Sequence, residues 1–251
     1  MTRNLKLTLS YDGTDFSGWQ VQPDAPTIQG TIASAIGRLT GEIVLPQGSG
    51  RTDAGVHALA QVATFSTASS VPVQNFAKAL NDVLPASIRI LDVTEMPDEF
   101  HARKSAGAKT YRYRIYREPI CPPFQARYVW HFPYPLNEAE MSKSAALVEG
   151  EHDFTSFAAS DPERGTENGE VSNVRRIFSS AFARQGEELT YTVRGSGFLH
   201  HMVRNLVGTF ILVGKGTLQP SDVSRILEAR DRSSAGATAP ASGLFLASVE
   251  Y

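Results

Sequence analysis

Asp53 is the side chain whose setting in this sequence most suggests chemistry. It lies in Gly48-Ser49-Gly50-Arg51-Thr52-Asp53-Ala54-Gly55-Val56-His57-Ala58, where three glycines, an arginine, a threonine and a histidine crowd around one carboxylate. Glycine lets a backbone take positive φ and approach a ligand closely. Functional side chains favour loops that a rigid scaffold holds. A carboxylate presented in this way suits covalent or electrostatic catalysis. The same segment also suits an Asx-turn or helix cap in which Asp53 bonds nearby amides. It is not a nucleotide-binding P-loop, because no Gly-Lys-Ser/Thr follows the glycines.

A second charged residue needs explaining. Met202, Val203, Leu206, Val207, Phe210 and Ile211 cover most of a helix expected over Leu199–Val213, and Arg204 sits inside that apolar run. Breaking a buried ion pair costs on the order of 3–5 kcal/mol, so some carboxylate must meet an arginine placed there. Asp53 is the candidate partner. Arg204 reaching solvent, or pairing with a structural acid, is the competing expectation. His200 and His201 precede it, but adjacent helical residues point about 100° apart and seldom ligate one ion. With no third ligand at zinc spacing, no metal is expected.

The third cluster is basic and aromatic. From His101 to Arg117 there are six Lys/Arg and no acid: Arg103, Lys104, Lys109, Arg112, Arg114 and Arg117. The run Tyr111-Arg112-Tyr113-Arg114-Ile115-Tyr116-Arg117 alternates with the period of a strand. Arginines interleaved with aromatics suit RNA through phosphate contacts and base stacking, although a solvated basic strand reads the same way. The net charge of −2 argues against a general polyanion binder, so any RNA contact must be local.

The octapeptide Arg51-Thr52-Asp53-Ala54-Gly55-Val56-His57-Ala58 resembles the signature of the tRNA pseudouridine synthases of the A type. Further blocks follow in that family's order: Tyr11-Asp12-Gly13-Thr14 with Gly18-Trp19-Gln20, Phe100-His101-Ala102-Arg103, Tyr111-Arg112-Tyr113, Asp153-Phe154-Thr155-Ser156-Phe157, and His200-His201-Met202-Val203-Arg204-Asn205. The resemblance implies that Asp53 is the essential catalytic residue and Tyr111 the active-site tyrosine, with Arg51 and Arg204 in support. It also implies uridines 38, 39 and 40 of the tRNA anticodon stem-loop as substrate, and a homodimer. The reaction detaches uracil from ribose at nitrogen and rejoins it through carbon. It calls for an ionised carboxylate, an extruded base held in place and a base to remove one proton, with no redox partner, metal or other cofactor. Whether Asp53 attacks the sugar, adds to the ring or assists elimination stays open. Arg103, Lys104, Lys109, Arg112, Arg114, His200 and His201 are the candidate RNA contacts.

Two rivals remain at this level. A non-catalytic module of tandem RRM-like units would keep the basic strand, but would need neither Asp53 nor Arg204, and this chain lacks the RNP-like run of such modules. A glycosidase-like hydrolase would need a second carboxylate, and Asp82, Asp92 and Asp98 have no loop context like that of Asp53.

The elements that must position these residues repeat one grammar. Strand, helix, strand, strand, helix, strand occurs twice: near 5–10, 27–40, 42–45, 61–65, 73–83 and 88–93, then near 110–116, 138–148, 174–183, 189–194, 199–213 and 244–249, with an extra helix at 221–229. The expected fold is α+β, with two ferredoxin-like halves forming a mainly antiparallel sheet and the active cleft between them. Residues 1–104 form the half with the Asp loop, and 105–251 the half with the Tyr strand and the Arg204 helix. The polar stretch 160–169 reads as a surface loop. No run approaches a membrane span, the N-terminus reads as a strand and not as a signal peptide, and Cys121 is the only cysteine, so a cytoplasmic location is expected.

Overall fold

A computed structural model describes residues 2–160 and 172–251. The expected surface loop at 160–169 lies, apart from Ser160, outside the described residues. The fold is mixed α+β with mainly antiparallel strand pairing, and it divides into two compact units. The first comprises Met1–Lys109 and Phe245–Tyr251, and the second Thr110–Leu244.

In the first unit, β1 (Arg3–Tyr11) lies between β3 (His57–Thr67) and β4 (Ile88–Met96) and is antiparallel to both. The expected strand at 42–45 does not form. Its place is taken by β2, only Gln47–Gly48, antiparallel to β3. Ile43 and Leu45 lie exposed, while the Glu42 carboxylate accepts hydrogen bonds from the Thr67 hydroxyl and the Ala68 amide. The segment thus binds the end of β3 through a side chain, leaving its alternating residues no core to face. The resulting order β4-β1-β3-β2 is that of a βαββαβ unit.

Leu5, Leu7 and Leu9 of β1 are wholly buried, each contributing about 1.5–3 kcal/mol of apolar burial. Ile28, Ile32 and Ile36 of α1 (Ile28–Thr40), with Phe76 and Leu80 of α2 (Val73–Val83), are buried as well. The Thr27 side chain caps α1 by accepting from the Gly30 amide, and Gly41 ends the helix at φ 75°. The closing strand β10 (Leu244–Glu250) groups by its contacts with this unit, pairing in parallel with the start of β3 through Phe245–His57 and Leu246–Ala58.

In the second unit, β5 (Ala108–Tyr116, its first two residues grouped with the first unit), β9 (Glu188–Gly195), β8 (Val174–Gln185) and β7 (Gly150–Asp153) are neighbours in that order, β9-β8 and β8-β7 pairing antiparallel. The two-residue β6 (Trp130–His131) runs parallel to β5. Leu189, Tyr191 and Val193 point one side of β9 into the core, where Tyr191 and Phe182 meet Phe210 of α5 (Met202–Gly214). Met141 and Ala145 of α4 (Glu138–Ala146) and Val223 of α6 (Pro220–Ala229) complete it, as do Phe154 and Phe157. A short helix, α3 (Pro123–Ala126), follows β5 in the chain. Among the described residues, no helix is long and apolar enough to cross a membrane.

Candidate active site

Asp53 is half-buried, one residue past a set of buried anchors. Thr52 places its hydroxyl 2.8 Å from that of Tyr11, at the end of β1, and its carbonyl accepts from the Trp19 amide at 3.0 Å. Ser49 donates from its hydroxyl to the Gln61 carboxamide oxygen at 2.7 Å, and Gln61 donates in turn to the Gly50 carbonyl at 2.8 Å. On the far side the Val56 amide donates to the Asp53 carbonyl at 3.1 Å, and Val56 is buried. The loop is therefore fastened before and after the carboxylate, while Arg51 is exposed.

The loop glycines serve different ends. Gly55 takes φ 76°, as expected of a turn glycine, whereas Gly48 lies against Trp19, where a β-carbon would come within 2.6 Å of the indole. Trp19 is a core residue, 2% exposed. His57 is buried too: its Nδ1 accepts from the Gly13 amide at 3.1 Å and its ring stacks on Phe245 at 4.7 Å. It belongs to the frame of the loop.

In the second unit, strand alternation turns Tyr111, Tyr113 and Ile115 inward and leaves Arg112 exposed. Tyr111 packs edge-on against Phe198, with ring centroids 5.0 Å apart. Tyr113 donates to the Pro240 carbonyl at 2.7 Å, and burial drives its phenol far above the ordinary tyrosine range. Arg204, on the first turn of α5, donates from Nε to the Ala239 carbonyl at 2.7 Å, and its own carbonyl accepts from the Ala239 amide. The buried Asn205 beside it accepts from Arg232 and Thr238, fixing the segment that carries Ala239.

The helix expected from Leu199 begins at Met202. His201 sits at φ 59°, a left-handed conformation uncommon outside glycine, and His200 places Nδ1 3.0 Å from the Ser160 carbonyl. The two imidazoles lie 4.0 Å apart in a turn rather than on a helix face.

Comparison with known proteins now bears on this arrangement. The family described as tRNA pseudouridine synthase matches residues 8–103 and 145–251. The tRNA pseudouridine synthase A of Solibacter usitatus is 53% identical over 249 residues, covering 99% of this chain and 100% of that protein. Those of Moorella thermoacetica and Caldicellulosiruptor saccharolyticus are 47% and 45% identical, covering 98% and 99% of this chain and 99% and 100% of theirs.

The chain belongs to the tRNA pseudouridine synthase family. It is an isomerase that converts uridine to pseudouridine in tRNA, the substrate of such synthases. For a synthase, the candidate RNA contacts divide by what they already hold. Arg103, Lys104 and Arg112 are exposed, and Lys109 is half-buried. Arg114 is engaged with Glu188, its Nε donating at 2.8 Å. Arg117, from the same basic run, donates to the carbonyls of Phe132 and Tyr134 and thereby fastens the segment after β6. Tyr11 and Asn205 stood in the sequence only as members of the quoted blocks, with no role given to either, and Gln61 was not singled out. Its signal was a polar side chain opening the largely apolar run Gln61-Val62-Ala63-Thr64-Phe65.

Proposed function

We propose that this synthase uses Asp53 as its catalytic carboxylate, Tyr111 as the ring on which the extruded uracil stacks, and Arg51 and Arg204 as supporting cations, Arg204 as charge partner of Asp53. The observation that carries this reading is the fastening of the Asp53 loop: buried hydrogen bonds hold Ser49, Gly50 and Thr52, and leave the next carboxylate half-exposed. Preorganisation of this kind is what a developing charge in a transition state requires. The base must leave its helix, and a tyrosine face restores stacking worth roughly 1–3 kcal/mol. The Tyr111 hydroxyl also takes part, in this proposal, in the deprotonation that ends the reaction.

The substrate uridines we assign are 38, 39 and 40 of the anticodon arm, in tRNA bound by a cytoplasmic homodimer working with no cofactor. The exposed Arg103, Lys104 and Arg112 support a phosphate-tracking role, joined in the proposal by Lys109, Arg114, His200 and His201. The test is incubation with unmodified tRNA carrying tritium at carbon 5 of uridine, with chelator present and no cofactor added. Tritium release mapped to those three positions is expected. Modification confined to another arm would overturn the site assignment, and dependence on an added cofactor would overturn the chemistry.

A further inference from the structure

Four polar side chains in and beneath the Asp53 loop are buried, and the isomerisation as described above uses none of them: Tyr11, Ser49, Thr52 and Gln61. They form one connected set. The Tyr11 and Thr52 hydroxyls are 2.8 Å apart, the Gln61 amide lies 3.5 Å from the Tyr11 oxygen, and the two ends of the Gln61 carboxamide hold Ser49 and Gly50. Burying such groups costs free energy that an apolar core would avoid, whereas a fully satisfied network makes the structure around it rigid and unique. Burial also pushes the Tyr11 phenol up to about 12, so its hydroxyl keeps its proton as a neutral partner for Thr52.

What the network grips is informative. Leu5, Leu7 and Leu9 already anchor β1, and Val62, Ala63 and Phe65 anchor β3. The polar set instead reaches out of both strands to the loop residues Ser49, Gly50 and Thr52, the last of which immediately precedes Asp53. We propose that Tyr11 and Gln61 are positioning residues for the isomerisation, acting on Asp53 through the Thr52 hydroxyl and through Ser49 and Gly50. This rests on Asp53 being the catalytic carboxylate. A catalytic group must be held within about 0.5 Å of its productive place, and a displacement of about 1 Å can cost on the order of 100-fold in rate. Thr52 adjoins Asp53 in the chain, so a tilt of its peptide moves the carboxylate directly.

The experiment measures kcat and KM for unmodified tRNA with the full chain, together with thermal unfolding and amide hydrogen exchange over residues 51–55. Tyr11→Phe keeps the buried ring and removes one hydroxyl. It should lower kcat about 10–100-fold and leave KM within about twofold, because affinity comes from phosphate contacts elsewhere. Thr52→Val should do the same and Thr52→Ser should restore most of the rate. The double variant Tyr11→Phe/Thr52→Val should be no slower than the slower single variant, since both break one bond. Exchange at 51–55 should quicken in each impaired variant. Gln61→Met, which cuts both loop contacts, should reduce kcat further; if it fails to fold, the Tyr11 and Thr52 variants still decide the matter. Unchanged kcat in Tyr11→Phe and Thr52→Val would overturn the proposal, as would a loss matched by the unfolded fraction or confined to KM. Asp53→Asn is measured alongside. If it is inactive while Tyr11→Phe is fully active, only the positioning role fails; if it turns over normally, the catalytic assignment fails and takes this proposal with it.

Discussion

Gly18 lies so close to Thr52 that a β-carbon built on it would stand 2.7 Å from the Thr52 carbonyl oxygen. Its φ of 93° adds a second barrier to any other residue. Gly18→Ala should destabilise the chain by about 1–3 kcal/mol, through overpacking and an unfavourable backbone conformation. The loss should appear as a lower denaturation midpoint at constant m-value. Because the carbonyl belongs to the residue before Asp53, kcat should fall in the folded protein as well.

Asp53→Asn and Asp53→Ala should abolish isomerisation and leave tRNA affinity within about threefold, since phosphate contacts dominate binding and a carboxylate contributes none. Tritium release and a filter-binding titration on the same preparations check both halves. Turnover near that of the parent in either variant would remove Asp53 from the chemistry.

Tyr111→Phe should bind tRNA as the parent does and turn over at least about tenfold more slowly if the hydroxyl takes part in proton transfer. Tyr111→Leu should lose the stacking face too, and raise KM. Since Tyr111 packs on Phe198, the Leu variant should also melt earlier than the Phe variant. Full activity of Tyr111→Phe would leave only the stacking role.

Arg204→Met should lower activity and stability together, and combining it with Asp53→Asn should restore stability without restoring turnover. A double-mutant cycle in unfolding free energy measures that coupling, expected at about 1–3 kcal/mol. Additive losses would leave Arg204 with its contact to Ala239 and no catalytic partner.

Acid should expose a different carboxylate. Asp153 accepts from the Thr155 hydroxyl and amide and lies 3.2 Å from the Arg230 guanidinium. The Thr155 hydroxyl, first of these, holds the Asp153 carboxyl below the usual range despite some opposing desolvation. A depressed folded pKa contributes stability above the unfolded value, about 3.9, and loses it as pH falls through the folded one. Asp153→Asn should therefore melt earlier than the parent at pH 7, and the gap should close only below about pH 4. A gap that does not begin to narrow as pH falls below about 4 would mean that packing, not charge, is what the substitution removed.

Legibility in the sequence followed the strength of local pattern. The helix Val73–Val83 stands where it was expected, directly after Pro72, and buries Phe76 and Leu80 one helical turn apart. The strand Ala108–Tyr116 was legible through its alternation. The strand expected at 42–45 was not real, since Ile43 alternates correctly yet packs on nothing, and the Glu42 contact that governs the segment is long-range. The early start expected for the Arg204 helix failed for a related reason. The His200 carbonyl accepts from the Ala159 amide and its ring meets the Ser160 carbonyl, a long-range tie that local spacing does not announce, and the next residue, His201, is left-handed. Asp53 stood out as a candidate through its motif, whereas the bonds that hold its loop were not legible, because Tyr11–Thr52 and Ser49–Gln61 join residues far apart in the chain.

The closing strand carries a consequence for synthesis. Phe245–Tyr251 belongs to the first unit although the whole second unit intervenes in the chain. On a ribosome, which releases polypeptide from the amino end, the segment bearing Asp53 emerges before the second unit. It then waits with the start of β3 unpaired on the side that Phe245 and Leu246 will occupy. The ring beneath His57 and the hydroxyl that binds the Ala102 carbonyl, supplied by Phe245 and Tyr251, arrive only after the second unit has been made. A nascent chain thus carries the whole Asp53 motif on an unfinished frame until the second unit and the strand after it have been synthesised.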